Sequence, residues 1–175
     1  LPKDDPILYL NDSKKLSEKK REYFYHILQK EAVSIGVGIV DALEIDRINI
    51  LEASRKAMYI ALNNLDVEPE YILSDAMSLN DIDIPSRPII HGDALSLSIA
   101  AASVIAKVTR DHMMYELDQK YPEYHYKKHK GYPTKEHLEL MRKYGITKEY
   151  RMSYKPVKLI LEEVSREENK EVVAE

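Results

Sequence analysis

The chain contains no cysteine, which excludes disulfide bonds, thiolate catalysis and thiolate ligation of a metal ion. Any metal ion must therefore be held by oxygen or imidazole ligands. The chain also lacks an apolar run near the roughly 18 residues that a membrane helix needs, and it does not begin with a charged segment followed by a cleavage site. These absences predict a protein with no membrane partner and a cytoplasmic location.

The composition that remains is ordinary for a folded globular protein. Of the 175 residues, 44% are hydrophobic and 32% are charged, a balance too apolar for wholesale disorder. This length predicts one compact domain, which we place at residues 1–160. Residues 161–175 are an acidic tail that we expect to be helical or frayed. We expect a monomer.

The charge is distributed unevenly along the chain. The net charge of −4 argues mildly against a nucleic-acid partner, because phosphate neutralisation is the usual source of affinity. Between Lys120 and Lys158, however, eleven Lys or Arg residues stand against four Glu, with seven tyrosines interleaved. This basic segment indicates either a nucleic-acid surface or a solvated charged face.

Hydrophobic spacing predicts an α/β protein with alternating helices and strands. Ser17 is the expected N-cap of a helix that ends near Glu31, and the β-branched run 32–40 is expected to form a strand after it. Two short buried strands should follow: the apolar run Tyr71–Leu73, which ends in Ser74-Asp75, and the run Ile89-Ile90, which ends in His91-Gly92-Asp93. The other predicted helices cover, in chain order, 41–65, 95–120, 135–144 and 156–169.

Two aspartates follow the two short strands, Asp75 directly and Asp93 after a Gly. Carboxylates held on rigid elements are the ligands that Mg²⁺ and Mn²⁺ prefer, with water completing the coordination. A single aspartate at such a position is also a common turn or helix cap, so the pair alone leaves both interpretations open.

Ser103 and Lys107 stand four positions apart in the alanine-rich part of the long helix and therefore share one face. A hydroxyl and an ammonium group side by side could bind a phosphate. The same spacing also fits a tightly packed core helix whose Lys107 extends its ammonium group to solvent.

Three motifs in order give the chain a more specific likeness. Asn11–Leu16 reads NDSKKL, Gly92–Asp111 reads GDALSLSIAAASVIAKVTRD, and His129–His137 reads HKGYPTKEH. Together they resemble the bacterial ribonuclease HII family, and the likeness covers about Asn11 to Pro156. The resemblance implies a ribonuclease H-like fold, in which helices flank a mixed five-stranded sheet, and a helical C-terminal part.

The resemblance also implies an activity. Members of this family are endonucleases that hydrolyse the RNA strand of RNA–DNA hybrids, including the bond on the 5′ side of ribonucleotides embedded in duplex DNA. The implied products carry a 5′-phosphate and a 3′-hydroxyl, and the implied cofactor is a pair of Mg²⁺ or Mn²⁺ ions. Such an enzyme would serve ribonucleotide excision repair and DNA replication.

The motifs assign roles to residues of this chain. Asp75 and Asp93 match two family carboxylates that are catalytic metal ligands, and Tyr132 matches a tyrosine that stacks on the deoxyribose beside the scissile junction. The residues assigned to phosphate contacts are Ser13, Lys14, Ser103 and Lys107. Without the resemblance, Tyr132 would be interpreted as a structural tyrosine in a Gly/Pro turn.

The chain departs from the family pattern at one end. The family's adjacent Asp-Glu pair and the Gly-Arg-Gly turn after it are absent, and Asp4-Asp5 lies in a different context. The chain opens at Leu1-Pro2 without a Met, so we expect an upstream segment in the natural protein. Two alternatives remain: an inactive hybrid-binding module that lacks the Asp-Glu pair, and an unrelated acidic α/β protein that binds a protein partner through its basic segment.

Other residues that could bear chemistry are given structural roles. Asp111 is expected in an ion pair on the surface of the long helix, and Asp12 is expected to make a turn. The histidines that we do not assign as metal ligands, because hard cations prefer oxygen, are His91, His129 and His137.

Overall fold

The fold is given by a computed structural model, which describes Leu1 and residues 13–174 and places side chains as far as Arg166. The helices of this part of the chain are α1 (Glu18–Glu31), α2 (Ala42–Ile48), α3 (Ile50–Asn63), α4 (Gly92–Leu95), α5 (Leu97–Lys120), α6 (Tyr126–His129), α7 (Lys135–Tyr144) and α8 (Lys155–Ala174), with a 3₁₀ turn at Pro122–Tyr124. The strands are β1 (Ile72–Asp75) and β2 (Ser86–Ile89). Asp4-Asp5, Asn11 and Asp12 lie outside the described residues.

The chain divides into two compact units, Leu1–Ile39 with Ser54–Arg110, and Val40–Ala53 with Asp111–Glu175. The core of the first unit lies between α1 and α5. Its buried side chains are Phe24, Leu28, Ala100, Ala101, Val104, Ile105 and Val108. The predicted N-cap of α1 is confirmed, because the Ser17 hydroxyl accepts a hydrogen bond from the Lys20 amide at 3.3 Å.

The two strands of the first unit pair in parallel. Ile72 lies opposite Ser86 and Asp75 lies opposite Ile89. Parallel strands end at the same edge of a sheet, so the residues after β1 and after β2 come together there. This pairing confirms two short strands near the predicted places, but the burial predicted for the second is wrong, because no residue of β2 is fully buried.

The single helix predicted over 41–65 is wrong, since the chain breaks it into α2 and α3 at Asn49. Asn49 has a φ of 71°, a backbone conformation that asparagine tolerates better than most residues. Its side-chain oxygen accepts hydrogen bonds from the amides of Leu51 at 2.9 Å and Glu52 at 3.1 Å, and so begins α3.

The strand predicted over residues 32–40 is also wrong for the described part of the chain. No strand is assigned there, because this segment makes no ladder with another described strand. It is held instead against the end of α3. The Asn64 side chain donates to the Val37 carbonyl at 2.8 Å, and the Asp66 amide donates to the Ser34 hydroxyl at 2.9 Å.

Two glycines allow this segment to approach α3 closely. A Cβ atom on Gly36 would lie 1.9 Å from the Ala61 carbonyl oxygen, and one on Gly38 would lie 1.8 Å from the Ala57 carbonyl oxygen. Both obstacles are helix backbone, which cannot move aside as a side chain can.

Gly38→Ala should therefore destabilise the fold by about 3 kcal/mol, the upper end of the usual range for overpacking. Denaturant unfolding measures the difference in the free energy of unfolding. Asn63→Ala, an exposed position on the same helix α3, is the control and should shift it by less than about 0.5 kcal/mol. A Gly38→Ala protein as stable as this control would show that the close approach is not required.

The second unit contains two clusters of buried side chains. One gathers Met114, Tyr124 and Tyr126, and the other gathers Met141, Val157 and Ile160. Helix α2 is fastened to the turn before α8 through Asp46, whose carboxylate accepts hydrogen bonds from the Met152 amide at 2.6 Å and from the amide and hydroxyl of Ser153. Burial opposes ionisation of Asp46, but these hydrogen bonds outweigh it and lower the pKa of the carboxyl.

Helix α8 runs through to Ala174, so its backbone crosses the limit at residue 160 that we predict for the catalytic domain. That division stays a prediction. Among the helices in the described part of the chain, none has the length and apolar character needed to span a bilayer.

Candidate active site and nucleic-acid interface

Asp75 and Asp93 are brought to the same edge of the sheet in the first unit. Asp75 is the last residue of β1, and its Oδ1 accepts a hydrogen bond from the Gly92 amide at 3.0 Å. Asp93 follows Gly92 directly, as the second residue of the short helix α4. Asp75 is exposed and Asp93 is half-buried. Both carboxylates therefore lie on neighbouring backbone segments where an ion could reach them.

The backbone beside both aspartates is held in a restricted conformation. Ala76, immediately after Asp75, has a φ of 55°, and His91, shortly before Asp93, has a φ of 57°. Non-glycine residues rarely adopt such angles, and they persist where the surrounding structure fixes them, often at functional sites. Here the Ala76 amide donates to the Ile89 carbonyl at 2.9 Å and so ties the two strand ends together.

Gly92 permits the close contact between this edge and α5. A Cβ atom there would lie 2.5 Å from Cδ1 of Ile99, a buried residue in the first turn of α5. The turn that carries Asp93 is therefore packed directly on the long helix. The glycine before Asp93 has a packing role in addition to donating its amide to Asp75.

The donor chemistry of this edge fits a hard divalent cation. Asp75 and Asp93 offer only carboxylate oxygens, and Mg²⁺ is commonly held by one or two carboxylates together with water and substrate phosphate oxygens. Over the residues that the structure describes, no group of three or more His, Asp or Glu side chains is arranged to hold a metal ion. If they hold an ion, Asp75 and Asp93 would supply only part of its ligands.

The phosphate-contact candidates of the first unit lie around α5. The Ser13 amide donates to the Ser103 hydroxyl at 3.4 Å, and the Ser103 hydroxyl donates to the Ala100 carbonyl at 2.9 Å. Ser13 itself is buried, Lys14 next to it is exposed, and Lys107 is half-buried. The structure therefore joins the first and second motifs through the pair of serines.

Arg21 stabilises the turn that carries Ser13 and Lys14, a role that sequence reasoning did not assign. Its guanidinium group donates to the Ser13 carbonyl at 3.1 Å and to the Leu16 carbonyl at 2.5 Å. The spacing from Ser13 to an arginine in the first turns of α1 is a weak signal, because surface arginines are common in helices.

Tyr132 belongs to the second unit. Its side chain is 58% exposed in the turn between α6 and α7. The Tyr132 amide donates to the His129 carbonyl at 2.9 Å, and its carbonyl accepts from the Thr134 amide at 2.8 Å. The backbone is held while much of the phenol ring faces outward, as a stacking residue requires.

His129 and His137, at the two ends of the third motif, are buried at 5% and 3% exposure. Burial lowers the pKa of both imidazoles, that of His137 to about 4. Both rings are therefore neutral near pH 7. The sequence predicts that these residues are not metal ligands, and it predicts no other role for them.

The surface position expected for Asp111 is wrong, because Asp111 is only 2% exposed. It follows Val104 and Val108 at helical spacing, and both valines are buried, so this stripe of α5 faces inward. His91, by contrast, is exposed at the start of α4.

Comparison with known proteins agrees with the family resemblance of the three sequence motifs. A sequence model of the family described as Ribonuclease HII matches residues 6–157. The chain is 53% identical over 162 residues to the ribonuclease HII of Geobacillus sp. strain WCH70. This alignment covers 93% of this chain and 58% of the relative. It is also 53% identical over 158 residues to the ribonuclease HII of Enterococcus faecalis. That alignment covers 90% of this chain and 62% of the relative. The chain thus spans about three-fifths of the length of the curated relatives that it matches.

A solved structure also matches. The crystal structure of ribonuclease H2 from Pyrococcus horikoshii OT3 superposes with a TM-score of 0.76 at 26% identity, over 89% of this chain and 81% of that chain. This match confirms the predicted α/β, ribonuclease H-like fold. The described residues supply two paired strands of the five-stranded sheet that the family resemblance implies.

Proposed function

The chain belongs to the ribonuclease HII family, and from that premise we propose that the protein is an endonuclease acting on the RNA strand of RNA–DNA hybrids. Its substrates would include duplex DNA with embedded ribonucleotides, cut on the 5′ side of the ribonucleotide. The products would carry a 5′-phosphate and a 3′-hydroxyl. A role in ribonucleotide excision repair and DNA replication follows from that substrate.

One observation carries this proposal: Asp75 and Asp93 lie at one sheet edge, joined by the hydrogen bond between the Asp75 carboxylate and the Gly92 amide. That bond keeps one Asp75 oxygen directed at the segment bearing Asp93. The other Asp75 oxygen and the Asp93 carboxylate would then ligate an ion.

Asp75 and Asp93 would hold Mg²⁺ or Mn²⁺, two ions in the complete site. When bound, such ions activate water and stabilise the leaving 3′-oxygen in an in-line displacement. The protein residues supply position: the strand end fixes Asp75, and the contact of Gly92 with Ile99 fixes the turn that bears Asp93.

Substrate binding is assigned to hydroxyl, ammonium and phenol groups. Ser13, Lys14, Ser103 and Lys107 would contact phosphates that flank the cut, and Tyr132 would stack on the neighbouring deoxyribose. The substrate's 2′-hydroxyl distinguishes RNA from DNA at the cut. We expect the protein to bind as a monomer.

Cleavage of labelled duplexes tests this proposal. A hybrid duplex and a DNA duplex with one ribonucleotide should both be cut with Mg²⁺ or Mn²⁺, whereas a duplex of DNA alone should stay intact. Chelation of the metal should stop cleavage. A protein that cuts the DNA duplex equally well would refute the assigned substrate.

An inactive hybrid-binding module is the second candidate. It is favoured by the absence from these 175 residues of the adjacent Asp-Glu pair followed by Gly-Arg-Gly, because two aspartates are a partial ligand set. Salt-dependent binding of a hybrid without cleavage under either ion would support this candidate over the nuclease.

Lys107→Ala should weaken hybrid binding and reduce its salt dependence. Loss of one phosphate contact makes the negative slope of log affinity against log salt concentration shallower by about 0.9. Lys30→Ala, at the opposite end of α1 from the turn that carries Lys14, is the control and should leave the slope unchanged. An unaltered slope in Lys107→Ala would assign this lysine to packing instead.

A further inference from the structure

The two buried histidines of the third motif stack on each other. The ring centroids of His129 and His137 lie 3.7 Å apart, and the ring planes differ by 15°. Tyr126 and Tyr150 surround the pair, with ring centroids 5.7 and 5.6 Å from that of His137. The stacked pair is therefore enclosed by aromatic rings in the second unit.

Hydrogen bonds assign one tautomer to each histidine. Nε2 of His129 lies 2.7 Å from the Tyr124 carbonyl, which can only accept, so Nε2 carries the proton. The other nitrogen of that ring, Nδ1, accepts from the Gly131 amide at 3.1 Å. His129 is thus held at both ring nitrogens by backbone groups.

His137 has the opposite arrangement. Its Nδ1 lies 2.8 Å from the Tyr132 carbonyl and must donate, while its Nε2 lies 2.8 Å from the Tyr150 hydroxyl, which can donate to it. Each ring can thus use one donor and one acceptor, as a neutral imidazole does. The His129 ring thus contacts the Gly131 amide, and the His137 ring contacts the Tyr132 carbonyl.

The turn between these contacts has an uncommon backbone conformation. Lys130 and Gly131 have φ angles of 51° and 78°, two successive residues in the left-handed region. The side chain of Thr134 then caps α7 by accepting from the His137 amide at 3.2 Å. The turn is fixed at its base, and the Tyr132 ring is the large side chain that it presents outward.

We propose that His129 and His137 are positioning residues, a stacked neutral pair that sets the Tyr132 turn for contact with the nucleic acid. This inference rests on the proposed function, in which Tyr132 touches the substrate. The pair itself lies beneath the turn and acts through the backbone of Gly131 and Tyr132.

Two substitutions of His137 separate its two hydrogen bonds. An asparagine amide stands as many bonds from Cβ as Nδ1 does, so His137→Asn can keep the donor to the Tyr132 carbonyl. A glutamine amide reaches the place of Nε2, so His137→Gln can keep the contact with Tyr150 but loses the one with Tyr132. Both variants lose the stacked ring, which makes each a control for the other.

Amide hydrogen exchange of residues 130–134 in the intact protein measures how stably the turn is held, independently of activity. His137→Gln should speed exchange there by about tenfold, the effect of losing one hydrogen bond of ordinary net strength, and His137→Asn should speed it less. Equal exchange in both variants would overturn the positioning role.

A double-mutant cycle tests the consequence for the substrate. The Kd for a fluorescent hybrid duplex is measured without divalent metal for His137→Gln, Tyr132→Ala and the double variant. His137→Gln should raise the Kd when Tyr132 is present and have no effect when it is absent. Equal effects in both backgrounds, or an unchanged Kd in Tyr132→Ala, would overturn the inference, whereas failure to cleave would count only against the proposed nuclease.

If His137→Gln does not fold, the unsubstituted protein still decides the matter. Nitrogen-15 spectra of the imidazoles should show the Nε2–H tautomer for His129 and the Nδ1–H tautomer for His137 at neutral pH. A protonated ring, or the reverse tautomers, would contradict the contacts that hold the turn.

Discussion

Asp93→Asn should lower the rate of hybrid cleavage by about a thousandfold or more, because removing a metal ligand takes away several kcal/mol of transition-state stabilisation. Hybrid binding should stay close to that of the unsubstituted protein, since binding depends mainly on cationic contacts with phosphates. Asparagine keeps the shape of the side chain, so the turn on α5 is preserved. Single-turnover cleavage and hybrid binding, measured on the same preparations, check both expectations.

The matched control for this variant is Asp83→Asn. Asp83 is an exposed aspartate between β1 and β2 and lies away from the strand ends. Its substitution changes the net charge equally but should leave cleavage unchanged. Near-normal cleavage by Asp93→Asn would refute the ligand assignment, and an equal loss in Asp83→Asn would point to a general effect of charge.

Stability should fall by about 3 kcal/mol between pH 6.5 and pH 4 because of His137 alone. Burial lowers the pKa of this imidazole from 6.5 to about 4. Between those values the unfolded chain binds the proton and the folded chain does not, so acid favours unfolding. The loss is complete near pH 4, and above pH 6.5 the contribution is constant. His129 acts in the same direction, since burial also lowers its pKa.

Denaturant unfolding across this pH range measures the effect. The titratable groups that face His137 are His129, Tyr126 and Tyr150, and none of them supplies a negative charge near neutral pH that would favour protonation. His137→Asn should flatten the pH dependence, whereas His26→Gln, at an exposed position on α1, should retain it. Equal pH dependence in the two variants would show that His137 is not the group responsible.

Local signals predicted those features that depend on neighbouring residues in the chain. The Ser17 cap, the two short strands and the long helix α5 follow from side-chain spacing and capping chemistry. The break at Asn49 was missed because the apolar spacing continues across it, although Asn49 has a positive φ and caps α3. The segment 32–40 has strand composition, yet a strand also needs a partner, and composition does not supply one.

The candidate site was predictable to the same extent. The order of three motifs pointed to Asp75 and Asp93, and the parallel pairing of β1 with β2 explains why residues 18 positions apart meet. The stacking of His129 on His137 was not predictable, because it requires two left-handed residues between them and a chain reversal that sequence spacing does not specify. Likewise, the burial of Asp111 depends on what packs against α5.

Mapping the cut in a DNA duplex that carries one ribonucleotide tests the proposed nuclease most directly. With Mg²⁺ or Mn²⁺, the intact protein should cut once, on the 5′ side of the ribonucleotide, leaving a 3′-hydroxyl on one fragment and a 5′-phosphate on the other. A duplex that is bound but remains uncut under both ions, or a cut that leaves a 2′,3′-cyclic phosphate, would contradict metal-assisted hydrolysis at Asp75 and Asp93.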